Sequence, residues 1–222
     1  IQRVRFLREA RALARVSDPN VVAVHEVGQS DGLDYIAMEL MTGSLSRHVP
    51  PPGRPAEAHV ERCLRWMEEA LRGLAALHDA GLVHRDVKPS NVIIDEAGSA
   101  YLTDFGLAKG RAYTVLTKPG MVMGTLDYLA PEMLRGSEAT GASDIYALGC
   151  VTFECTAGQA PFADKAMFEL ASAHLNDEPS DPCADRADAP EGLSWAILQA
   201  LAKEPDKRPP TATAYAHRHR LV

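Results

Sequence analysis

The feature that most constrains the fold of this 222-residue chain is the stretch VHRDVKPSNVIID at positions 83–95. The bases Arg85 and Lys88 and the acid Asp86 precede a run of Val and Ile that is typical of a buried strand. A solvated surface loop seldom leads straight into such a strand. We therefore interpret this polar cluster as a site, formed by His84, Arg85, Asp86, Lys88 and Asn91.

A short hairpin is predicted directly after the polar cluster. The sequence predicts strands at 92–94 and 100–103, separated by the turn residues DEAGS. If the hairpin is centred between Ala97 and Gly98, the pairing sets Asn91 and Asp104 side by side at its open end.

These polar groups suggest a reaction class. An amide oxygen and a carboxylate suit a hard divalent cation such as Mg²⁺, which takes few protein oxygens and leaves room for phosphates. Asp86 remains as a possible base, and Lys88 can neutralise charge on a transferring group. The spacing therefore predicts a phosphoryl-transfer site.

The composition excludes several other classes of protein. A formal net charge of −7 gives no broad positive field that could recruit nucleic acid or an anionic membrane. No apolar stretch reaches the roughly 18 residues that a membrane span needs, so no membrane contact within this chain is predicted. The four cysteines lack CxxC spacing, which favours free thiols in a reducing compartment.

The order of predicted elements indicates an α+β chain with two lobes. A small strand-containing lobe is expected at 1–41 and a larger, mostly helical lobe at 42–222, joined through a connector rich in Gly and Pro. Helices are predicted at 1–16, 60–78, 144–157 and from 193 to Pro205, and paired strands at 21–28 and 33–40. One apolar helix face carries Val60, Leu64, Met67, Leu71, Leu74 and His78.

Three motifs occur in a fixed order: HRDVKPSN at 84–91, DFG at 104–106 and APE at 130–132. Together they strongly resemble the protein-kinase superfamily. Gly124-Thr125, Asp144 and Arg208 match further motifs, so the resemblance extends over essentially the whole chain. The position of Lys88 two residues after Asp86 resembles the serine/threonine branch of this superfamily. The chain is also similar to bacterial kinases of the eukaryotic type.

The resemblance implies a kinase-like fold that transfers the ATP γ-phosphate to Ser or Thr hydroxyls of proteins. It implies that Asp86 orients the substrate hydroxyl and accepts its proton, while Lys88 contacts the γ-phosphate. Asn91 and Asp104 are expected to hold Mg²⁺, or Mn²⁺, against the phosphates. Taken without the motifs, Asp86 and Asn91 would be ordinary turn residues.

Nucleotide-binding residues follow from the same resemblance. Met38 corresponds to the gatekeeper position. The Glu39 carbonyl and the Met41 N–H are expected to bind adenine, and Ile93 to pack under the base. Without the resemblance these would be ordinary strand and core residues.

Regulatory residues are implied as well. Arg85 is expected to receive a phosphate from the segment 107–129, with Thr117 as the first candidate phosphosite and Thr114 as the second. Thr125 is expected to contact the catalytic loop, and Glu9 to be the helix glutamate of the family.

Packing roles follow from the family too. Glu132 is expected to pair with Arg208 and so tie down the segment. His84 and Phe105 are expected to pack with Leu13 and Val24 in a stack resting on Asp144.

The chain departs from the family in its nucleotide-binding elements, and this departure is expected to reduce activity. The glycine-rich loop and the strand lysine that pairs with the helix glutamate have no counterpart after Ile1. We therefore interpret the chain as truncated before the helix glutamate, with Glu9 lacking a partner, exposed apolar surface on the strands at 21–40 and reduced activity in the chain alone.

Two alternatives remain open at this stage. The chain could be a non-catalytic scaffold, or a small-molecule phosphotransferase such as an aminoglycoside or choline kinase. Lys88 and the segment GTLDYLAPE favour a protein substrate. The resemblance also implies self-association for autophosphorylation in trans, in the cytoplasm or on the cytoplasmic part of a membrane-anchored kinase.

Overall fold

A computed structural model of the chain describes residues 2–49, 57–106, 126–184 and 189–219. The α-helices within these ranges are α1 Gln2–Leu13, α2 Glu57–Asp79, α3 Pro131–Leu134, α4 Gly141–Ala157, α5 Met167–Asn176, α6 Leu193–Ala200 and α7 Ala212–His219. The strands are β1 Val24–Ser30, β2 Leu33–Met38, β3 Val92–Ile94 and β4 Ala100–Leu102. This is the α+β class that the sequence predicts. No helix in the described ranges is long and apolar enough to cross a membrane.

The strands form two antiparallel hairpins, β1–β2 and β3–β4. The second hairpin is centred on Ala97, since Val92 pairs with Leu102. The predicted register is therefore wrong by half a residue. The cause is the turn, in which the Asp95 carboxylate accepts a hydrogen bond from the Ser99 N–H at 2.8 Å.

The corrected register changes what stands opposite Asn91. The Thr103 N–H donates to the Asn91 carbonyl at 3.0 Å, so Thr103 is the cross-strand partner. Asp104 follows one residue later with a φ of 53°, in the left-handed region. Asn91 and Asp104 still lie at the same open end of the hairpin, but not directly opposite each other.

The core forms around α2 and α4. The apolar face of α2 is fully buried at Met67, Leu71 and Leu74, in one cluster with Leu148 and Val151 of α4. A buried helix needs apolar residues on nearly all sides, which explains the continuous apolar run that marks α4 in the sequence. This pair of helices is the rigid base on which the hairpin β3–β4 and the polar cluster rest.

Several large apolar side chains remain exposed on and around the first hairpin. Leu33 is 74% exposed, Leu40 is 92% exposed, and Tyr35 is exposed to a smaller degree. The sequence predicts apolar surface in this region. These side chains lie away from the α2–α4 core.

The predicted ion pair between Glu132 and Arg208 is confirmed. The two side chains form a bidentate contact, with nitrogen–oxygen distances of 2.8 Å and 2.7 Å. Burial alone would raise the pKa of the Glu132 carboxyl, but the hydrogen bonds and charge of Arg208 hold that pKa below its usual value. The pair fixes α3 and the start of α4 against the loop before α7.

We expect Arg208→Met to lower the free energy of unfolding by about 3–5 kcal/mol, because it leaves a buried carboxylate uncompensated. The double variant Glu132→Gln with Arg208→Met should be more stable than Arg208→Met alone. Urea denaturation of the wild type, both single variants and the double variant measures this coupling. Simple additivity of the two single effects would contradict the account.

A second buried polar group is His174 on α5. Its Nδ1 atom lies 2.8 Å from the Tyr146 hydroxyl, and its ring is wholly buried. Burial, assisted by the nearby charge of Lys203, lowers the pKa of His174 to about 3. The folded protein therefore holds this imidazole neutral at pH values where the unfolded chain protonates it.

This difference predicts an acid-sensitive stability. Because the folded pKa lies below the unfolded value of about 6.5, the contribution is complete above that pH and is lost as the pH falls towards 3. Between these two pH values the free energy of unfolding should change by up to about 1.4 kcal/mol per pH unit on account of His174. In His174→Gln the slope of unfolding free energy between pH 6 and 4 should decrease, as measured by urea denaturation. The exposed His25→Gln is the control, and an unchanged slope in His174→Gln would refute the assignment.

Candidate active site

The backbone of the polar cluster is held by Asp144, near the start of α4. This carboxylate is 1% exposed and accepts hydrogen bonds from the His84 N–H at 2.8 Å and the Arg85 N–H at 2.9 Å. Arg85 has a φ of 69°, a left-handed conformation that costs about 1–3 kcal/mol in a residue with a side chain. Asp144 therefore restrains the loop in a shape that it would not adopt alone.

His84 connects this loop to the segment after β4. Its ring lies 5.1 Å from the Phe105 ring, and the Gly106 N–H donates to the His84 carbonyl at 2.8 Å. Burial lowers the pKa of His84, which keeps the imidazole neutral. Phe105 and Val24 pack against the cluster that contains Leu13, in agreement with the predicted packing roles.

Three predicted catalytic residues lie together. The Lys88 ammonium is 3.1 Å from an Asp86 carboxylate oxygen. The Asn91 amide donates both to the Asp86 carbonyl at 2.8 Å and to its carboxylate at 3.1 Å. A carboxylate, a cation and an amide are thus held within hydrogen-bonding distance, with the Asp86 side chain 9% exposed.

The donor set fits a hard metal ion. Because the Asn91 nitrogen is used by Asp86, the amide oxygen faces elsewhere and accepts from the Ser90 hydroxyl at 3.2 Å. The Asp104 carboxylate is exposed at the same end of the hairpin. Oxygen atoms of these two types are the ligands that Mg²⁺ prefers.

Met38, at the predicted gatekeeper position, lies near this end of the hairpin. The Thr103 hydroxyl lies 3.8 Å from the Met38 sulfur, so the end of β2 meets the end of β4. A Cβ atom at Gly43 would collide with the Ile94 carbonyl oxygen, which shows how closely the chain after β2 passes β3.

The predicted adenine contacts differ in exposure. Met41 and Ile93 are half-buried, whereas Glu39 is exposed. The Glu39 N–H is used by the Ala23 carbonyl at 2.8 Å.

One expectation about this site is wrong. Glu9 has a partner, because its carboxylate forms a bidentate pair with the Arg85 guanidinium at 2.7 Å and 3.0 Å. The hydrogen bonds that the Arg85 guanidinium donates to Glu9 raise the pKa of Arg85. The two residues are 76 positions apart, so no local pattern indicates that they meet. The pair links α1 directly to the catalytic loop.

The remaining predicted residues lie outside the described part of the chain: Thr114, Thr117 and Thr125. The sequence analysis also missed a residue of this site, His78, whose Nε2 atom lies 2.9 Å from Asp144. The available signal was a histidine on an otherwise apolar helix face.

Comparison with known proteins agrees with this geometry. The family model described as protein kinase domain matches residues 2–219. The chain is 37% identical over 209 residues to the serine/threonine-protein kinase PrkC of Bacillus subtilis, covering 94% of this chain and 32% of that protein.

Two mycobacterial proteins are similar to the same degree. The serine/threonine-protein kinase PknA of Mycobacterium tuberculosis is 39% identical over 210 residues, covering 92% of this chain and 47% of that protein. PknB of Mycolicibacterium smegmatis is 35% identical over 215 residues, covering 94% of this chain and 34% of that protein. The chain thus spans about a third to just under half of the length of these relatives. On its motifs, its site and the family model that covers almost its entire length, the chain belongs to the protein kinase domain family.

Proposed function

We propose that this domain transfers the γ-phosphoryl group of ATP to serine or threonine hydroxyls of proteins. The observation that carries the proposal is the contact of Asp86 with both Lys88 and Asn91. A carboxylate whose position is fixed from two sides can orient a hydroxyl for in-line attack.

Asp86 and Lys88 have different roles in the proposed transfer. The substrate hydroxyl donates a hydrogen bond to Asp86, and its oxygen attacks the γ-phosphorus while its proton passes to the carboxylate. The bond from the γ-phosphorus to the bridging oxygen breaks, and ADP leaves with the electron pair. Lys88, beside Asp86, stabilises the negative charge on the group in transit.

Family membership implies the use of ATP and a divalent metal. Asn91 and Asp104 would hold the metal through their oxygen atoms, and Mg²⁺ or Mn²⁺ suits that donor set. When bound, the ion supplies positive charge against the phosphates. Glu39, Met41 and Ile93 would contact the adenine.

A protein substrate is favoured by the relatives, which are named as serine/threonine-protein kinases. Lys88 in the catalytic loop supports the same choice. A second copy of the chain is one such substrate, which would allow autophosphorylation in trans.

Regulation would act through Arg85. In the structure Glu9 accepts hydrogen bonds from the two terminal guanidinium nitrogens of Arg85. A phosphate on Thr117 or Thr114 carries about two negative charges and three acceptor oxygens, so it competes with Glu9 for the same donors. If the phosphate replaces Glu9 on Arg85, α1 loses its contact with the catalytic loop, and phosphorylation is thereby coupled to the position of α1.

We expect Asp86→Asn to lower the rate of phosphate transfer by about 10²–10⁴-fold, because the amide cannot accept the hydroxyl proton. Binding of ATP·Mg²⁺ should remain within a few-fold of wild type. The measurement is transfer of labelled phosphate to the chain itself and to a basic protein, together with nucleotide affinity.

The exposed Asp206→Asn is a matched control, prepared in the same way to exclude contaminating kinases. Equal rates in Asp86→Asn and wild type would contradict the role of Asp86. Nucleotide binding by wild type without any transfer would favour the non-catalytic scaffold.

A second expectation concerns Arg85. In wild type, the phosphorylated form should transfer phosphate faster than the dephosphorylated form. In Arg85→Gln the ratio of the transfer rate of the phosphorylated form to that of the dephosphorylated form should fall towards one, because the phosphate loses its bidentate partner. Arg72→Gln, which removes an exposed guanidinium on α2, is the control, and a ratio preserved in Arg85→Gln would exclude the proposed regulation.

A further inference from the structure

Two buried thiols meet where α2 packs against α4. Cys63 of α2 and Cys155 of α4 are each 1% exposed and belong to the same core cluster. Their side chains form a hydrogen bond with each other. Both are free thiols in the structure, and the proposed transfer of phosphate uses neither of them.

The hydrogen bonds around Cys63 identify its sulfur as an acceptor. The His59 Nε2 atom lies 3.2 Å from the Cys63 sulfur. The Arg62 guanidinium lies 3.4 Å from Nδ1 of the same ring. Because a guanidinium only donates hydrogen bonds, Nδ1 accepts and the ring proton lies on Nε2. His59 therefore donates its N–H to the Cys63 sulfur.

This arrangement makes the two thiols unequal. The hydrogen bond with Cys155 lowers the pKa of Cys63 in spite of burial, and the charge of Arg62 lowers that pKa further. The same hydrogen bond, together with burial, raises the pKa of Cys155. Because the thiolate is the reactive form of cysteine, Cys63 is the nucleophile of the pair. Cys155 is the thiol that keeps its proton.

Cys63 lies close to solvent although its own side chain is buried. Its neighbours in the first turns of α2 reach the surface, since His59 is half-buried and Arg62 is exposed. A molecule hardly larger than water needs only a local opening at this end of the helix to reach the sulfur. A small oxidant fits this requirement.

We propose that Cys63 and Cys155 form a reversible oxidation site for hydroperoxides, of which hydrogen peroxide is the smallest. The Cys63 thiolate attacks a peroxide oxygen, the O–O bond breaks, and the hydroxide that leaves takes up a proton to form water. The Cys155 sulfur then attacks the sulfur of the Cys63 sulfenic acid. The S–O bond breaks, and the hydroxide leaves with the Cys155 proton as a second water. Each thiol has then given one electron to the peroxide, and a disulfide joins α2 to α4.

The disulfide acts on the catalytic hairpin through α2. The Trp66 indole N–H, one turn after Cys63, donates to the Gly98 carbonyl at 2.8 Å. The Glu69 carboxylate accepts from the Ala100 N–H at 2.6 Å. A disulfide brings its two sulfur atoms to about 2.05 Å, so this part of α2 must shift towards α4. The hairpin β3–β4 then loses part of its support, which lowers the rate of transfer if the proposed function holds.

The first test maps the thiols of the folded wild-type chain before and after exposure to hydrogen peroxide. Alkylation and peptide mass spectrometry should find one disulfide, between Cys63 and Cys155, which dithiothreitol removes. Cys150, on the same helix as Cys155, should remain a thiol, because burial raises its pKa. The absence of a disulfide, or one formed by Cys150 or Cys183 instead, would overturn the proposal.

Variants test the roles within the pair. In Cys155→Ala the sulfenic acid of Cys63 should persist and react with dimedone, whereas Cys63→Ala should form no sulfenic acid at Cys155. His59→Ala should slow disulfide formation about tenfold, as expected when one hydrogen bond to a charged group is lost. His59→Gln retains an N–H donor and should restore most of the rate, and the exposed His25→Ala is the control. A sulfenic acid at Cys155, or an unchanged rate in His59→Ala, would overturn the assignment of Cys63 as the nucleophile.

The last test follows the consequence for the hairpin. Oxidation should lower the rate of phosphate transfer several-fold in wild type but not in Cys63→Ala, and it should accelerate amide hydrogen exchange at Ala100. Exchange and thiol mapping do not require catalysis, so a chain without transfer activity would refute the proposed function and still test the oxidation site. A disulfide that changes neither transfer nor exchange at Ala100 would overturn its link to the hairpin.

Discussion

The buried carboxylate of Asp144 is the constraint on which the site depends. It lies at the start of a helix that is buried along most of its length, so its position is set by the core. From there it holds the N–H groups of His84 and Arg85, and Arg85 adopts a left-handed backbone that few residues with side chains accept. The position of Asp86, one residue later, follows from that restraint.

Two bidentate arginine pairs connect this centre to the rest of the chain. Arg208 joins Glu132 and secures the segment leading into α4, whereas Arg85 joins Glu9 and brings α1 against the catalytic loop. The first pair is buried among core residues and has a structural role. The second is partly accessible and includes Arg85, the residue before Asp86, which is why we propose that Arg85 can exchange Glu9 for a phosphate.

Local patterns in the sequence predicted α1, α2, α4, α6 and both hairpins, whereas α3, α5 and α7 were not predicted. Asp86, Lys88 and Asn91 lie within six positions, so their contacts follow from a single loop. The hairpin register was not predictable from strand patterns, because the Asp95 side chain sets the turn. The pairing of Glu9 with Arg85 was missed because only tertiary packing brings residues 76 positions apart together. The helical period places His78 on an apolar helix face, and periodicity does not distinguish a core position from a polar contact made within the core.

The most direct test of the account is the rate of a single turnover in Asp144→Asn at saturating ATP·Mg²⁺. The amide that replaces the carboxylate can accept on one side only, so at least one loop N–H loses its partner. We expect a rate reduced by about 10²-fold with nucleotide affinity nearly unchanged, because two hydrogen bonds to a charged group are weakened. A rate equal to that of wild type would contradict the claim that Asp144 positions the catalytic loop.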